Sequence, residues 1–514
     1  MGENNQNTLS HEEEQLFDAA HQAAAAYSSY SRSRVEKVVK AVAAAAAEKA
    51  EFYGKWALRE TGFGTASSQT EKNQVGLLTA QQSLAPFIDP QVDKEKKIVS
   101  FPKPAGVVVA LIPSTNPVAT VYYKVLITLM TRNAVILCPH PGAKECCVHA
   151  ADFMAEVAVK AGVPQGLIQS VREPSVPLVN QLMQSDRTNL ILATGGPAMV
   201  RAAYSSSNPA IGVGPGNVAC YVHESADLVK TAERIVTSAS FDNSLPCTTE
   251  SVIIADRAIG DALGLEIAKH GAHHVGNPDE VHRLREFLFP EGHMNPKAIG
   301  KGAEWIAAQA GVNVPAGTRL LCIEIFTIGE DEPISKEKMF PLVGFIKIDG
   351  GIQGAIRTAR AMLEMQGKGH SAIIHTKDPE VAARYGAALP VCRITVNASG
   401  HTGTAGVVTN LITGAVVGTG FFGRSSIDEN VGPKHLIQWT RLAYNKDPDE
   451  VMGDIDGAIA TLLKEAEQRE TVTTPEPGGD NFNRDELRAL IKELVAAELR
   501  QLLKSQMDGN KNHD

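Results

Sequence analysis

Cysteine is scarce in this chain: 7 residues in 514, scattered, odd in number and without a Cys-x-x-Cys spacing. That argues against a disulfide framework, leaves the adjacent Cys146 and Cys147 without a second pair to build a zinc site, and makes a reducing cytosol the expected setting. Positive charge is in deficit, with a net charge of -9. Phosphate binding needs a basic surface, so nucleic acid is not an expected partner. Apolar runs are short: the longest, 107–112 and 121–130, have the length of a strand or a core helix, so no membrane span is expected. The first residues, Met1-Gly-Glu-Asn-Asn-Gln-Asn-Thr8, lack a basic-then-apolar signal pattern. There is no internal repeat, and the strand–turn–helix joint at 190–199 carries no Gly-x-Gly-x-x-Gly.

What is present is the composition of an ordinary globular protein, 43% hydrophobic and 21% charged. The chain is too long for one hydrophobic core, so two or three domains are expected. Residues 11–60, rich in Ala, Glu and Lys, read as one or two helices. From Lys97 the pattern turns to strands, Ile98–Phe101 and then Gly106–Ile112 after a Pro-Lys-Pro turn. Strands at 134–138, 167–171 and 190–193 alternate with helices at 143–161 and 176–184. Such alternation implies parallel strand–helix–strand units and a doubly wound sheet over about 100–235. It restarts past Cys247, with a strand at 252–254 and a helix over 258–273, so a second α/β domain is expected. His270, His273 and His274 would share that helix, but no carboxylate or cysteine completes a site, and no metal is assigned.

Three places carry chemistry. Cys247 sits in Ser240-Phe-Asp-Asn-Ser-Leu-Pro-Cys-Thr-Thr-Glu250, a polar turn before the apolar run Ser251-Val-Ile-Ile254. A thiol on such a loop is placed to meet a substrate as a nucleophile. In Ile112-Pro-Ser-Thr-Asn-Pro117 an apolar strand ends in a turn bearing an amide. A thiolate that attacks a carbonyl and an amide that holds the oxyanion are the minimum for acyl-thiol chemistry. In Leu190-Ile-Leu-Ala-Thr-Gly-Gly-Pro-Ala-Met199 a strand runs through a glycine turn into a helix start, where backbone N–H groups can face a pyrophosphate. Joints of that kind also occur as plain structure in α/β proteins.

These segments, with Pro139-His-Pro141, Gly212-Val-Gly-Pro-Gly-Asn217, Glu337-Lys-Met-Phe-Pro341 and the tract Gly423–Leu436, resemble in their joint order the CoA-acylating branch of the aldehyde dehydrogenase superfamily, from about residue 10 to 465. The resemblance implies an α/β fold of two doubly wound parallel-sheet domains plus a small oligomerisation element. An N-terminal and dinucleotide-binding domain would span 1–237 and a catalytic domain 238–430, with strands near 97–110 and part of 431–470 serving oligomerisation. It implies Cys247 and Asn116 as catalytic residues. Ile112, Pro113, Ser114, Thr115, His140, Pro141, Thr194, Gly195, Gly196, Gly214 and Glu337 are implied as contacts of NAD, with the choice between NAD and NADP left open. Hydrolytic relatives carry Glu-Leu-Gly-Gly-Lys, whose glutamate activates the deacylating water. Gly212 stands at that place here, and glycine is no base, so the thiol of coenzyme A is expected to release the acyl group. The implied reaction is aldehyde, CoA and NAD+ giving acyl-CoA and NADH, in a homodimer or homotetramer. Propionaldehyde or acetaldehyde is the default substrate. Arg424 would suit an anionic aldehyde such as sulfoacetaldehyde, or serve as a structural or CoA-phosphate contact. A hydrolytic enzyme using Glu250 as base and a non-enzymatic scaffold remain the rival readings. The fused alcohol dehydrogenase domain of bifunctional relatives is not expected.

At about 470 the composition breaks into Thr471-Val-Thr-Thr-Pro-Glu-Pro-Gly-Gly-Asp480, a linker expected over 471–482. Asn483-Arg-Asp-Glu486 then has the form of a capping box, and Leu487, Leu490, Ile491, Leu494 and Val495 recur at helical spacing. A short amphipathic helix over 483–504 resembles the encapsulation peptides of bacterial microcompartment cargo and implies a shell or cargo protein as partner. Docking on the enzyme's own oligomer is the alternative.

Overall fold

The structure is a computed structural model and describes residues 11–473. Three sheets organise it. Five parallel strands stand in the spatial order Ile168–Ser170, Ala134–Pro139, Val107–Ile112, Leu190–Thr194, Ala210–Val213. Val107–Ile112 and Ala134–Pro139 are buried along their whole length, as strands covered by helices on both faces must be. Chain order reverses between Val107–Ile112 and Leu190–Thr194, which opens a crevice at their carboxyl ends.

The second sheet has seven parallel strands, with Glu250–Asp256 and Val218–Val222 at its centre beside Gly369–His375 and Leu342–Ile348. Successive residues of one strand feed opposite cores. Ala219, Tyr221, Val252 and Ile254 pack on one face, and Val218, Cys220, Val222 and Ile253 on the other, as the two-residue period of a strand requires. The division expected between 237 and 238 therefore falls earlier in the pairing. Val218–Val222 bonds to Glu250–Asp256 and Gly369–His375, so the second domain's sheet begins inside the stretch assigned to the first.

Ile98–Pro104 pairs antiparallel with Ile437–Ala443 in a third, three-stranded sheet, in register from Pro104↔Ile437 to Ile98↔Ala443. The N-terminal stretch forms three helices, His11–Tyr27, Arg32–Glu48 and Ala50–Thr61, rather than one or two. Ser31 caps the second, accepting from the Arg34 N–H. The helix expected over 258–273 ends at Lys269, and His273 and His274 lie on the strand Ala272–Val275. The three histidines therefore do not share a helix face. The last described helix, Ile455–Thr473, runs into the start of the expected linker. The amphipathic segment 483–504 lies outside the described residues.

Candidate active site

Asn116 and Cys247 come from different domains and line one cavity of 100 Å³. Asn116 ends the turn after Val107–Ile112 and precedes the helix Pro117–Met130, whose residues are all buried. Its backbone carbonyl accepts from Thr120. Cys247 lies on the loop that enters the strand Glu250–Asp256. Lys72, Val75, Phe241, His401, Val407 and Val417 complete much of the wall, and the Phe241 and His401 rings stack at 4.2 Å. This is a small, mostly apolar chamber with a thiol and an amide in its wall.

Cys247 is open to solvent at the mouth of the cleft, yet the protein mass around it withdraws the sulfur from bulk water. That desolvation, with the Glu337 charge second, pushes the thiol up to about 12. The nearest proton acceptor is His370, whose Nε2 lies 3.2 Å from Sγ, while its Nδ1 lies 2.9 Å from Ser371 Oγ. Burial, then the Arg393 charge, pulls the imidazole down to about 3, so it is neutral at working pH. His370 was not foreseen. It is delivered by Gly367-Lys-Gly369, where Gly369 has φ 78° and a Cβ would stand 1.7 Å from the Thr419 carbonyl oxygen. Two glycines before a histidine at a strand's start are the one sequence signal that pointed there.

The 212–217 loop corrects another expectation. Gly212 faces the helix Pro197–Tyr204: its N–H donates to Tyr204 Oη at 2.8 Å, and a Cβ would meet Val200 and Tyr204. The glycine against the nucleophile is Gly216, where a Cβ would stand 2.0 Å from the Cys247 carbonyl oxygen. The Gly216 N–H donates to Glu337 Oε1 at 3.2 Å, and Gln366 Nε2 donates to Oε2 at 2.9 Å. Burial pushes Glu337 up to about 7 against those donors. Glu250, the rival's base, is absent from the cavity wall. Its Oε1 accepts from the Gly400 N–H at 3.1 Å, and burial pushes it up to about 7.

A second cavity, of 120 Å³, opens at the carboxyl ends of the five-stranded sheet and gathers Ile112, Pro113, His140, Pro141, Thr194, Gly195 and Gly196. A Cβ at Gly196 would meet nothing within 4 Å, and Gly196 precedes the helix Pro197–Tyr204 without a side-chain cap. Open space in front of uncapped N–H groups suits a pyrophosphate. Ser114, Thr115, Gly214 and Glu337 fall outside this wall. The Thr115 carbonyl is turned to Lys72, Gly214 stands beside Thr419, and Glu337 is held at the nucleophile. Arg424 is exposed and lines neither cavity. The cation at the first cavity is Lys72, paired with Asp242. Burial lowers the Lys72 ammonium and raises the Asp242 carboxyl, each opposed by the other's charge. A wider groove of 980 Å³ between Leu16 and Arg172 has neither cysteine nor histidine in its wall.

A thiol and an amide over a small chamber, beside a crevice at the carboxyl ends of a doubly wound sheet, is the arrangement of a cysteine-based dehydrogenase. A family model described as the aldehyde dehydrogenase family matches residues 5–285, and the chain belongs to that family. It is 36% identical over 403 residues to an aldehyde-alcohol dehydrogenase of Streptococcus pneumoniae, covering 76% of this chain and 45% of that protein. The chain thus spans about half the length of that curated relative. Among solved structures, an acetylating aldehyde dehydrogenase from Geobacillus thermoglucosidasius is 35% identical with a TM-score of 0.81, covering 84% of this chain and 96% of that one. A propionaldehyde dehydrogenase from the fucose utilisation microcompartment of Clostridium phytofermentans is 27% identical with a TM-score of 0.77, again over 84% and 96%.

Proposed function

We propose that this chain oxidises a short-chain aldehyde, propionaldehyde or acetaldehyde, to its CoA thioester through an acyl group on Cys247. The observation that carries the reading is the contact between Cys247 Sγ and His370 Nε2, 3.2 Å apart, at a cavity that also holds the Asn116 amide. With the imidazole proton on Nδ1, the Nε2 lone pair accepts the thiol proton as Sγ adds to the aldehyde carbonyl. The Asn116 Nδ2–H and the Cys247 N–H hold the oxyanion of the hemithioacetal. The residues at 112–113, 140–141 and 194–196 would hold NAD, which would supply the hydride acceptor. The thioester on Cys247 then meets a wall with glycine at 216 and a Glu337 carboxylate whose two oxygens are already engaged. No base stands at 216 and both Glu337 oxygens are engaged, so His370, once the proton from Cys247 has passed to solvent, is the base left for deacylation. The thiol of CoA, far more acidic than water, is the acceptor the site favours.

The reading extends to assembly. The strand Ile437–Ala443 is largely exposed beyond Ile437 and suits a homodimer or homotetramer contact. The microcompartment placement rests on the sequence pattern of 483–504 and on the likeness to the Clostridium enzyme. Among the described residues no helix is long and apolar enough to cross a membrane.

The test is NADH formation from propionaldehyde by the full chain, with and without CoA. Steady turnover with CoA, and without it a burst of about one NADH per subunit that then nearly stops, is expected for an acyl-enzyme that waits for its acceptor. Cys247→Ala removes both. Equal steady rates with and without CoA mean a hydrolytic enzyme, and no NADH from any aldehyde of a panel means that the site does other chemistry.

A further inference from the structure

The ammonium of Lys72 touches both halves of the site, and the chemistry above gives it no task. It comes from the helix Ala66–Leu77. Nζ donates to Thr115 O at 2.9 Å, to Asn116 Oδ1 at 2.9 Å, and to Asp242 Oδ2. The Asp242 side chain is fully buried and that of Lys72 nearly so. Asp242 also accepts from the Thr65 N–H at 2.9 Å and from Gln69 Nε2 at 3.3 Å.

Asp242 opens the approach to the nucleophile. Asp242, Asn243 and Ser244 have φ of 49°, 54° and 62°, three successive side-chain-bearing residues in the left-handed region. Such backbone persists only where its surroundings impose it. Here they do: Asn243 Nδ2 donates to Gly300 O at 2.7 Å and to Gly64 O at 3.2 Å, and Asp242 is clamped by Lys72. A Lys–Asp pair alone would satisfy the two buried charges. The additional bond to Asn116 is what a purely structural pair leaves unexplained.

An amide presents an acceptor at one end and a donor at the other. With Oδ1 held by an ammonium, the opposite rotamer would set Nδ2 against Nζ, donor against donor. Nδ2 gives one hydrogen to Thr115 Oγ1 at 3.3 Å, and its second N–H is the one left for the cavity, the end that an oxyanion needs. Positive charge on Oδ1 also draws electron density from the nitrogen and strengthens it as a donor. We propose that Lys72 is a positioning residue: it locks the Asn116 amide with its N–H toward the substrate carbonyl and, through Asp242, fixes that donor against the Cys247 loop. The proposal rests on the reading of Asn116 as the oxyanion donor.

The test is the burst of p-nitrophenolate from p-nitrophenyl acetate. Sγ adds to the ester carbonyl, the thiol proton passes to His370, the C–S bond forms, and the C–O bond breaks to release p-nitrophenolate. The step uses the oxyanion donor but neither NAD nor CoA. Lys72→Met is expected to slow the burst about tenfold or more, as misplacement of a catalytic group does, with the KM for the ester within about threefold of wild type on the same scale. In an Asn116→Ala background the same change should cost less than about threefold further, because Lys72 acts through that amide. A Lys72→Met variant without a cooperative thermal transition hands the test to Lys72→Met with Asp242→Asn, which removes both charges and keeps an acceptor for Thr65. A Lys72→Met burst within about threefold of wild type overturns the proposal, as do losses that multiply in the double variant. An unchanged burst in Asn116→Ala removes the oxyanion reading and this proposal with it. A normal ester burst without CoA-dependent NADH formation strikes the proposed function alone.

Discussion

At Cys247 and His370, two neutral groups face each other, and this governs how the site responds to pH. The thiol is pushed up to about 12 and the imidazole pulled down to about 3, so between those limits neither carries charge in the ligand-free enzyme. A cysteine that rests as a stored thiolate–imidazolium pair reacts with alkylating agents at a rate that levels off at mildly acid pH. The rate of Cys247 alkylation by iodoacetamide should instead keep rising through about pH 7 to 10, since the thiolate fraction grows roughly tenfold per pH unit below the thiol's own pKa. A plateau below pH 7 would show a resident ion pair. His370→Ala should lower the aldehyde-driven NADH burst by roughly a hundredfold or more, the usual worth of a positioned base, while leaving NAD affinity unchanged. At this scale the sequence was partly legible. Cys247 and Asn116 announce themselves by standing in polar turns at the ends of apolar strands. His370 and Lys72 are brought in from 123 and 44 positions away, and no periodicity encodes such meetings.

Among the elements, the glycine turns sort themselves by what a methyl group would meet. At Gly216 it would stand 2.0 Å from the carbonyl oxygen of Cys247, a backbone atom that cannot swing aside. At Gly196 it would meet open space. Gly216→Ala is therefore expected to push the nucleophile loop out of place. It should lower the melting temperature, overpacking of this kind costing about 1–3 kcal/mol, and cut the acylation burst about a hundredfold, as roughly 1 Å of misplacement can. Gly196→Ala should melt like the wild type and raise only the KM for NAD. Thermal melts and burst amplitudes on the two variants check this, and a Gly216→Ala enzyme that melts and acylates normally would refute the placement. The strands and helices around these turns were readable because alternation and apolar runs are local signals. Gly212 was misplaced because a short glycine-rich loop carries no side-chain pattern, and only the pairing of Ala210–Val213 with Leu190–Thr194 turns that glycine toward Tyr204. The domain boundary slipped for a similar reason: Val218–Val222 is apolar on both faces and fits either sheet until its partners are known.

For the whole molecule, every residue of the proposed site lies before residue 440 in the chain. Cys247, Asn116, His370 and both cavities draw on residues from Glu71 to Val417. The segment 483–504 lies outside the described residues, and its sequence spaces leucines for one helical face behind a Pro/Gly linker. A helix of that length would need a partner to cover its apolar stripe, and the proposed oxidation of a reactive aldehyde gains from being held close to its source. Removing residues 471–514 should therefore leave kcat and KM for aldehyde and CoA unchanged. Fusing residues 481–504 to a fluorescent protein should carry it into co-expressed microcompartment shells, seen as foci that co-purify with the shells. Diffuse fluorescence beside intact shells, together with a change in the oligomeric state of the truncated enzyme, would assign the segment to the enzyme's own assembly instead.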